Sequence, residues 1–163
     1  MDRGGYMKKH LSFLLSAAVL CSVWCGCDSR KSKDKQTVKE FKIMTDFEIA
    51  KSKAKINNKP VLLVFSGSDW CGWCVKLDRE VFSTPEFKDW AADNVIMVIA
   101  DFPAVKKLSP ELAAQNEKLK NTYGIEGFPT VLLLDSDGNV IAQTGYQHGG
   151  AANYIAHLKS LMK

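Results

Sequence analysis

Five residues in this chain have the types and spacing to do chemistry: Trp70-Cys71-Gly72-Trp73-Cys74. Two cysteines three apart can form a short disulfide, hold half of a zinc site, or act as a redox dithiol. A zinc site needs further ligands at similar spacing. No second Cys-x-x-Cys is present, and His10, His148 and His157 are scattered. A structural cross-link closing so short a loop would stabilise little. The apolar run Val61-Leu62-Leu63-Val64-Phe65 leads into the pair, so a strand feeds two cysteines that open a helix. Backbone N–H groups point outward at a helix N-terminus and the helix dipole is positive there. Both favour thiolate, which is the nucleophile. The second cysteine lies one helical turn on and can close the ring. The pair reads as a redox dithiol that needs no cofactor and no metal.

The chain has 163 residues, of which 46% are hydrophobic and 25% charged. This suits one globular domain with appendages. Formal net charge is +4, but residues 1–27 hold Arg3, Lys8 and Lys9 against Asp2, so without them it is +2. So mild a balance gives no case for nucleic acid as a partner. Of five cysteines, Cys21, Cys25 and Cys27 lie in the N-terminal apolar region, and only Cys71 and Cys74 belong to the domain.

Residues 1–27 read as a signal peptide. Met7-Lys8-Lys9-His10 is its basic start and Leu11 to Val23 its apolar stretch, too short to span a membrane. Translation is expected to begin at Met7, because Arg3-Gly4-Gly5 can be spelled by a purine-rich ribosome-binding sequence. Gly26-Cys27 matches the end of a lipoprotein signal, whereas Trp24 and Cys25 depart from it. Two outcomes stay open: lipidation at Cys27, anchoring the protein to a membrane, or cleavage nearby, releasing a soluble domain. Residues 28–41 form a lysine-rich, flexible linker.

The elements that must position the cysteines occupy residues 42–163. Thr45-Asp46-Phe47-Glu48 reads as a capping box with Thr45 as N-cap, starting a helix to about Asn57. Val61 to Phe65 is a buried strand, and a helix is expected from Cys71 to about Phe82, with Val75, Leu77 and Val81 in the core. Thr84-Pro85 and Ser109-Pro110 each start a helix; the first directs Phe87 and Trp90 inward, and the second ends near Asn121. Val95 to Ala100 is a second strand and Val131 to Leu134 a third. Asp135 to Asn139 is a hairpin turn into a fourth strand, Val140 to Thr144. Ala151 to Leu161 is a closing helix with Tyr154, Ile155 and Leu158 inward. Crossover helices imply parallel strands, and the hairpin adds an antiparallel one. The fold class is α/β, a mixed sheet flanked by helices with an N-terminal extension.

Tyr123 to Thr130 joins the cysteines as a second functional stretch. Pro129 stands where a strand begins and cannot donate to a ladder. A cis bond and a simple strand-initiating proline both fit.

Trp-Cys-x-x-Cys after a strand, with Gly127-Phe128-Pro129-Thr130 later, resembles the thioredoxin family across the domain. The stretches around Cys71–Lys76 and Glu80–Pro85 are similar to those of the C-terminal domain of the membrane reductant conductor DsbD and of exported DsbH-type oxidoreductases. The resemblance implies a thioredoxin fold, a cis Pro129 packed on Cys71–Cys74, and a Phe128 backbone that pairs with an extended substrate. It also implies a periplasmic thiol–disulfide oxidoreductase of reductase character. Its expected partners are disulfide-containing proteins and a DsbD-type membrane thiol donor, and it would work as a monomer. Cys71, expected to be the more exposed, would attack as thiolate, and Cys74 would resolve the mixed disulfide. Gly72 and Trp73 supply no charge, which leans toward a reducing pair. Trp70 is expected as a wall of the site and Trp73 as a surface contact.

One departure is visible. Thioredoxin keeps a buried carboxylate on the strand before the motif; here Val64 or Phe65 takes that position, and Met97 stands for its partner lysine. Asp69, Lys76 and Glu80 are the nearest alternatives, each expected to be a solvated surface charge, and His148 an ordinary loop residue. An oxidase or isomerase is the competing enzyme reading. A non-catalytic thioredoxin-fold binding module is the reading from another class, and the intact cysteine pair weighs against it.

Overall fold

The structure, a computed structural model, describes residues 41–163. The expected signal segment, Cys27, Met7 and all but the last residue of the expected linker lie outside the described residues. Four strands form one sheet in the order β2-β1-β3-β4: β1 Val61–Ser66, β2 Ile96–Asp101, β3 Thr130–Leu134 and β4 Val140–Thr144. β1 runs parallel to β2 and antiparallel to β3, and β4 is antiparallel to β3. The helices are α1 Phe47–Asn57, α2 Gly72–Leu77, α3 Pro85–Asn94, α4 Pro110–Thr122 and α5 Gly150–Leu161. Among the described residues no helix is long and apolar enough to cross a membrane.

Strand periodicity divides the core into two layers. Leu62 and Val64 point to the face packed by Leu77, Phe87, Tyr154 and Leu158. Val61, Leu63 and Phe65 point to the other face, against Phe47, Ala50, Ala54 and Leu119. Such a strand, buried on both faces, reads as an unbroken apolar run rather than an alternating one. The free edge of β2 is covered: Met44 N–H donates to Met97 and Ile99 N–H donates to Met44.

The helix starts follow their caps, with one correction. The N-cap of α1 is Asp46, not Thr45: its carboxylate accepts the Ile49 N–H at 2.8 Å. Glu48 then falls in the first turn and pairs with Lys51 at 3.0 Å. Asn58 closes α1 in the left-handed region at φ 51°. Thr84 and Ser109 cap α3 and α4, with Pro85 and Pro110 in the first turns. The helix expected from the cysteines to Phe82 is not uniform. After α2 it widens into a π-helical turn, Asp78–Phe82, where Ser83 N–H reaches back five residues to Asp78. The extra residue keeps Leu77, Val81 and Phe82 all buried. Val75, expected in the core, is instead 47% exposed on the outer face of α2.

Candidate active site

β1 ends at Ser66, and the loop Gly67–Trp70 turns into α2. Gly67 is required there: a Cβ would run into the Trp70 indole. Its carbonyl accepts the Cys71 N–H at 2.9 Å and fixes the start of the helix. Cys71 is the N-cap of α2, with extended backbone, and its Sγ accepts the Cys74 N–H at 3.2 Å. The two sulfurs form a disulfide, with Cα atoms 5.2 Å apart. Cys71 does not stand out by exposure: it is 7% exposed and Cys74 4%. What separates them is position, since the sulfur at the cap faces the unpaired N–H groups of the first turn. Gly72 has open space around it.

The Phe128–Pro129 peptide bond is cis. Pro129 and Cys74 line one cavity of about 380 Å³ behind the disulfide. Val64 and Ile99 line it too and lie side by side in register. Ile99, not Met97, is therefore the neighbour of Val64; Met97 pairs with Leu62. Val64 and Ile99 face this cavity with apolar side chains, but two carboxylates line it as well, Asp78 on the π-helical turn and Asp101 at the end of β2. Sequence reading missed both. Asp78 lies four residues after Cys74 on a helix, a spacing that puts them on one face. Asp101 had no local signal.

The three charges expected to be solvated at the surface each have partners: Asp69 is exposed, and Lys76 and Glu80 are half-buried. Asp69 accepts the N–H groups of Ala104, Val105 and Lys106 at 2.8, 2.8 and 3.1 Å. Those bonds hold its carboxyl below the usual carboxylate range. The same loop is tied by Ser68, whose N–H and hydroxyl donate to Asp101 at 2.9 and 2.6 Å. Glu80 accepts the Tyr146 hydroxyl at 2.6 Å and pairs with Arg79 at 3.3 Å. The Tyr146 bond chiefly lowers the Glu80 pKa and raises that of Tyr146. Lys76 Nζ sits 5.2 Å from the Trp73 ring centroid and 5.0 Å from that of Tyr146. His148 rests edge-on against Tyr146 at 5.1 Å.

Aromatic rings flank the pair on two sides. Trp70 is 55% exposed and donates its indole N–H to the Phe102 carbonyl at 2.7 Å. Its ring meets Phe128 at 5.8 Å, and Phe128 stacks on Phe102 at 5.1 Å. Trp73 is 54% exposed and lies on Tyr146 at 5.2 Å. Phe102 and Tyr146 are distant in sequence and were not foreseen. Of the residues expected at the site, Pro129 shares a cavity with Cys74, and Phe128 meets Trp70, the residue before Cys71. Among the described residues no group of three or more His, Cys, Asp or Glu side chains is arranged to hold a metal ion.

Known proteins are similar to this chain. Residues 47–161 match the family model described as a thioredoxin-like domain. The disulfide bond reductase DsbH of Chlamydia pneumoniae is 37% identical over 110 residues, 68% of this chain and 66% of that protein. The thiol:disulfide interchange protein DsbD of Yersinia enterocolitica is 29% identical over 156 residues, 93% of this chain but 25% of DsbD. The chain thus spans about two thirds of one relative and a quarter of the other. The solved structure of a DsbH oxidoreductase superposes with a TM-score of 0.69 at 35% identity, covering 72% of this chain and 81% of its own. Strand, cysteine-capped helix, cis-proline and family match agree, and the chain belongs to the thioredoxin-like family.

Proposed function

We propose that this chain is an exported thiol–disulfide oxidoreductase that reduces disulfide bonds in periplasmic proteins. The observation that carries the reading is Cys71 at the N-cap of α2 with its sulfur accepting a backbone N–H. A thiolate there is stabilised by the bond and by the helix terminus. In the dithiol state, Cys71 loses its proton to solvent and attacks one sulfur of a substrate disulfide. A mixed disulfide forms and the other substrate sulfur leaves as thiolate, to be protonated. Cys74, deprotonated in turn, attacks the Cys71 sulfur and closes Cys71–Cys74. The second substrate sulfur leaves. Two electrons pass to the substrate, and the cysteine pair alone carries them, with no added cofactor.

The surroundings of Cys71 support a reducing direction of electron flow. Among the described residues its sulfur takes a hydrogen bond from the Cys74 amide and from no charged side chain. Strong thiolate stabilisation makes a pair oxidising, and one amide with a short helix is modest help. The relative at 37% identity is named a disulfide bond reductase, which supports the same direction. Likeness to DsbD supports a membrane-bound dithiol of that kind as the donor. Leu11 to Val23 directs export, and Cys27 either carries a lipid anchor or lies near the cleavage site. The domain acts as a monomer. Equilibration of the purified protein against glutathione tests the proposal. A potential near that of thioredoxin, about −270 mV, is expected, and one near that of DsbA, about −120 mV, overturns it.

A further inference from the structure

Three consecutive residues ahead of Cys71 reach across to one stretch after β2. Ser68 donates twice to Asp101, Asp69 accepts the N–H groups of Ala104, Val105 and Lys106, and the Trp70 indole donates to the Phe102 carbonyl. Residues 102–108 have no helix or strand of their own. Ala104, Val105, Lys106 and Lys107 are exposed, so no apolar burial holds the crest of this stretch. A segment of that kind opens at low cost unless its backbone is tied. The crest is tied by one carboxylate, that of Asp69, and hydrogen bonds to an ionised acceptor are the strong kind.

The same stretch stands between two cavities. One is the cavity of about 380 Å³ behind the disulfide, and the other has about 350 Å³. Asp101, Lys106, Leu108 and Asn116 line both, so the wall between them is this stretch and the start of its contact with α4. The first cavity reaches Cys74 and not Cys71, and its size suits a small organic molecule. The two sulfurs belong to residues buried to a similar degree, so burial alone does not direct an incoming group to Cys71. A closed wall beside the Cys74 cavity does.

We propose that residues 102–108 act as a strap, latched by Asp69, that shuts the cavity behind the disulfide and so restricts exchange with partners to Cys71. Asp69 acts through the strap and is a positioning residue. The proposal concerns the cysteine pair alone and is independent of the direction in which electrons flow.

The test uses the full chain carrying Cys71→Ser, which leaves Cys74 as the one cysteine of its tryptic peptide. The reduced protein is alkylated with iodoacetamide or with a bulky fluorescein-bearing iodoacetamide, and modification of that peptide is followed by mass spectrometry. Both reagents react with the same thiolate. The ratio of the bulky to the small rate constant therefore cancels any change in ionisation and reports access alone. Adding Asp69→Ala should raise the ratio by about tenfold or more, the scale of losing one hydrogen bond to a charged group. Asp69→Asn, which keeps one acceptor oxygen, should fall between. Asp135→Ala removes bonds of the same kind from the β3–β4 hairpin and should leave the ratio where it was. An unchanged ratio in Asp69→Ala overturns the proposal. An equal rise in Asp135→Ala also overturns it, because access then comes from general loosening of the domain and not from the strap.

Discussion

Cys71 and Cys74 differ less in exposure than in what surrounds their sulfurs. Cys71 caps a helix, while Cys74 looks onto a cavity that carries Asp78 and Asp101. The resolving step needs somewhere for the Cys74 proton to go. Asp69 is a poor acceptor: three backbone N–H groups hold its carboxyl ionised and tie it to residues 104–106. Asp78→Asn and Asp101→Asn should therefore slow decay of the mixed disulfide, by roughly tenfold or more for the one that accepts the proton. Rapid acid quenching measures this decay, and an unchanged rate in both variants would exclude them. Asp69→Asn has a different signature. Its amide offers one acceptor oxygen where the carboxylate offers two, so hydrogen exchange at Ala104, Val105 and Lys106 should accelerate. Equal exchange in variant and wild type would mean that Asp69 does not hold the loop.

At the scale of elements, most starts and stops follow local chemistry. Pro85 and Pro110 sit one residue after a hydroxyl cap in each case. The start of α1 shows the limit of such patterns. Thr45-x-x-Glu48 has the spacing of a capping box, but Asp46 offers a carboxylate one residue later and takes the cap. Asp46→Ala should cost about 1 kcal/mol in urea unfolding, and Thr45→Ala clearly less. The reverse order would return the cap to Thr45. The helix after the cysteines shows a second limit. Its apolar spacing reads as one continuous helix, but packing under β1 inserts a π-helical turn at Asp78–Phe82. Without it, one of Leu77, Val81 and Phe82 would lose its place in the core.

At the scale of the whole molecule, four surface carboxylates among the described residues accept hydrogen bonds that favour their charged form. Asp69, Glu80, Glu111 and Asp135 all have lowered pKa values, through bonds from backbone amides, Tyr146 and Asn139. A carboxylate with a lowered folded pKa contributes stability above its unfolded pKa and loses it as pH falls through the folded one. The melting temperature should therefore hold level above the ordinary carboxylate range, about pH 4, and fall below it. Thermal melts followed by circular dichroism across that range check this. A melting temperature level down to pH 2 would show that these bonds contribute nothing to stability.

By itself the sequence determined the redox pair, the strand ahead of it, the proline-started helices, the hairpin and the order of elements. These signals are local: Cys71 and Cys74 are three residues apart, and caps, turns and apolar periods extend over a few residues more. The tertiary structure alone decided what stands around the pair. Ile99 lies beside Val64 because strand register sets it, and register depends on packing across the whole sheet. Glu80 meets Tyr146, 66 residues away, only because the fold brings the π-helical turn after α2 against the loop before α5. Asp69 finds its three amides in the loop after β2 for the same reason. Residues that look like free charges in a string become partners once the chain folds, because hydrogen bonds are satisfied by whatever the fold brings near.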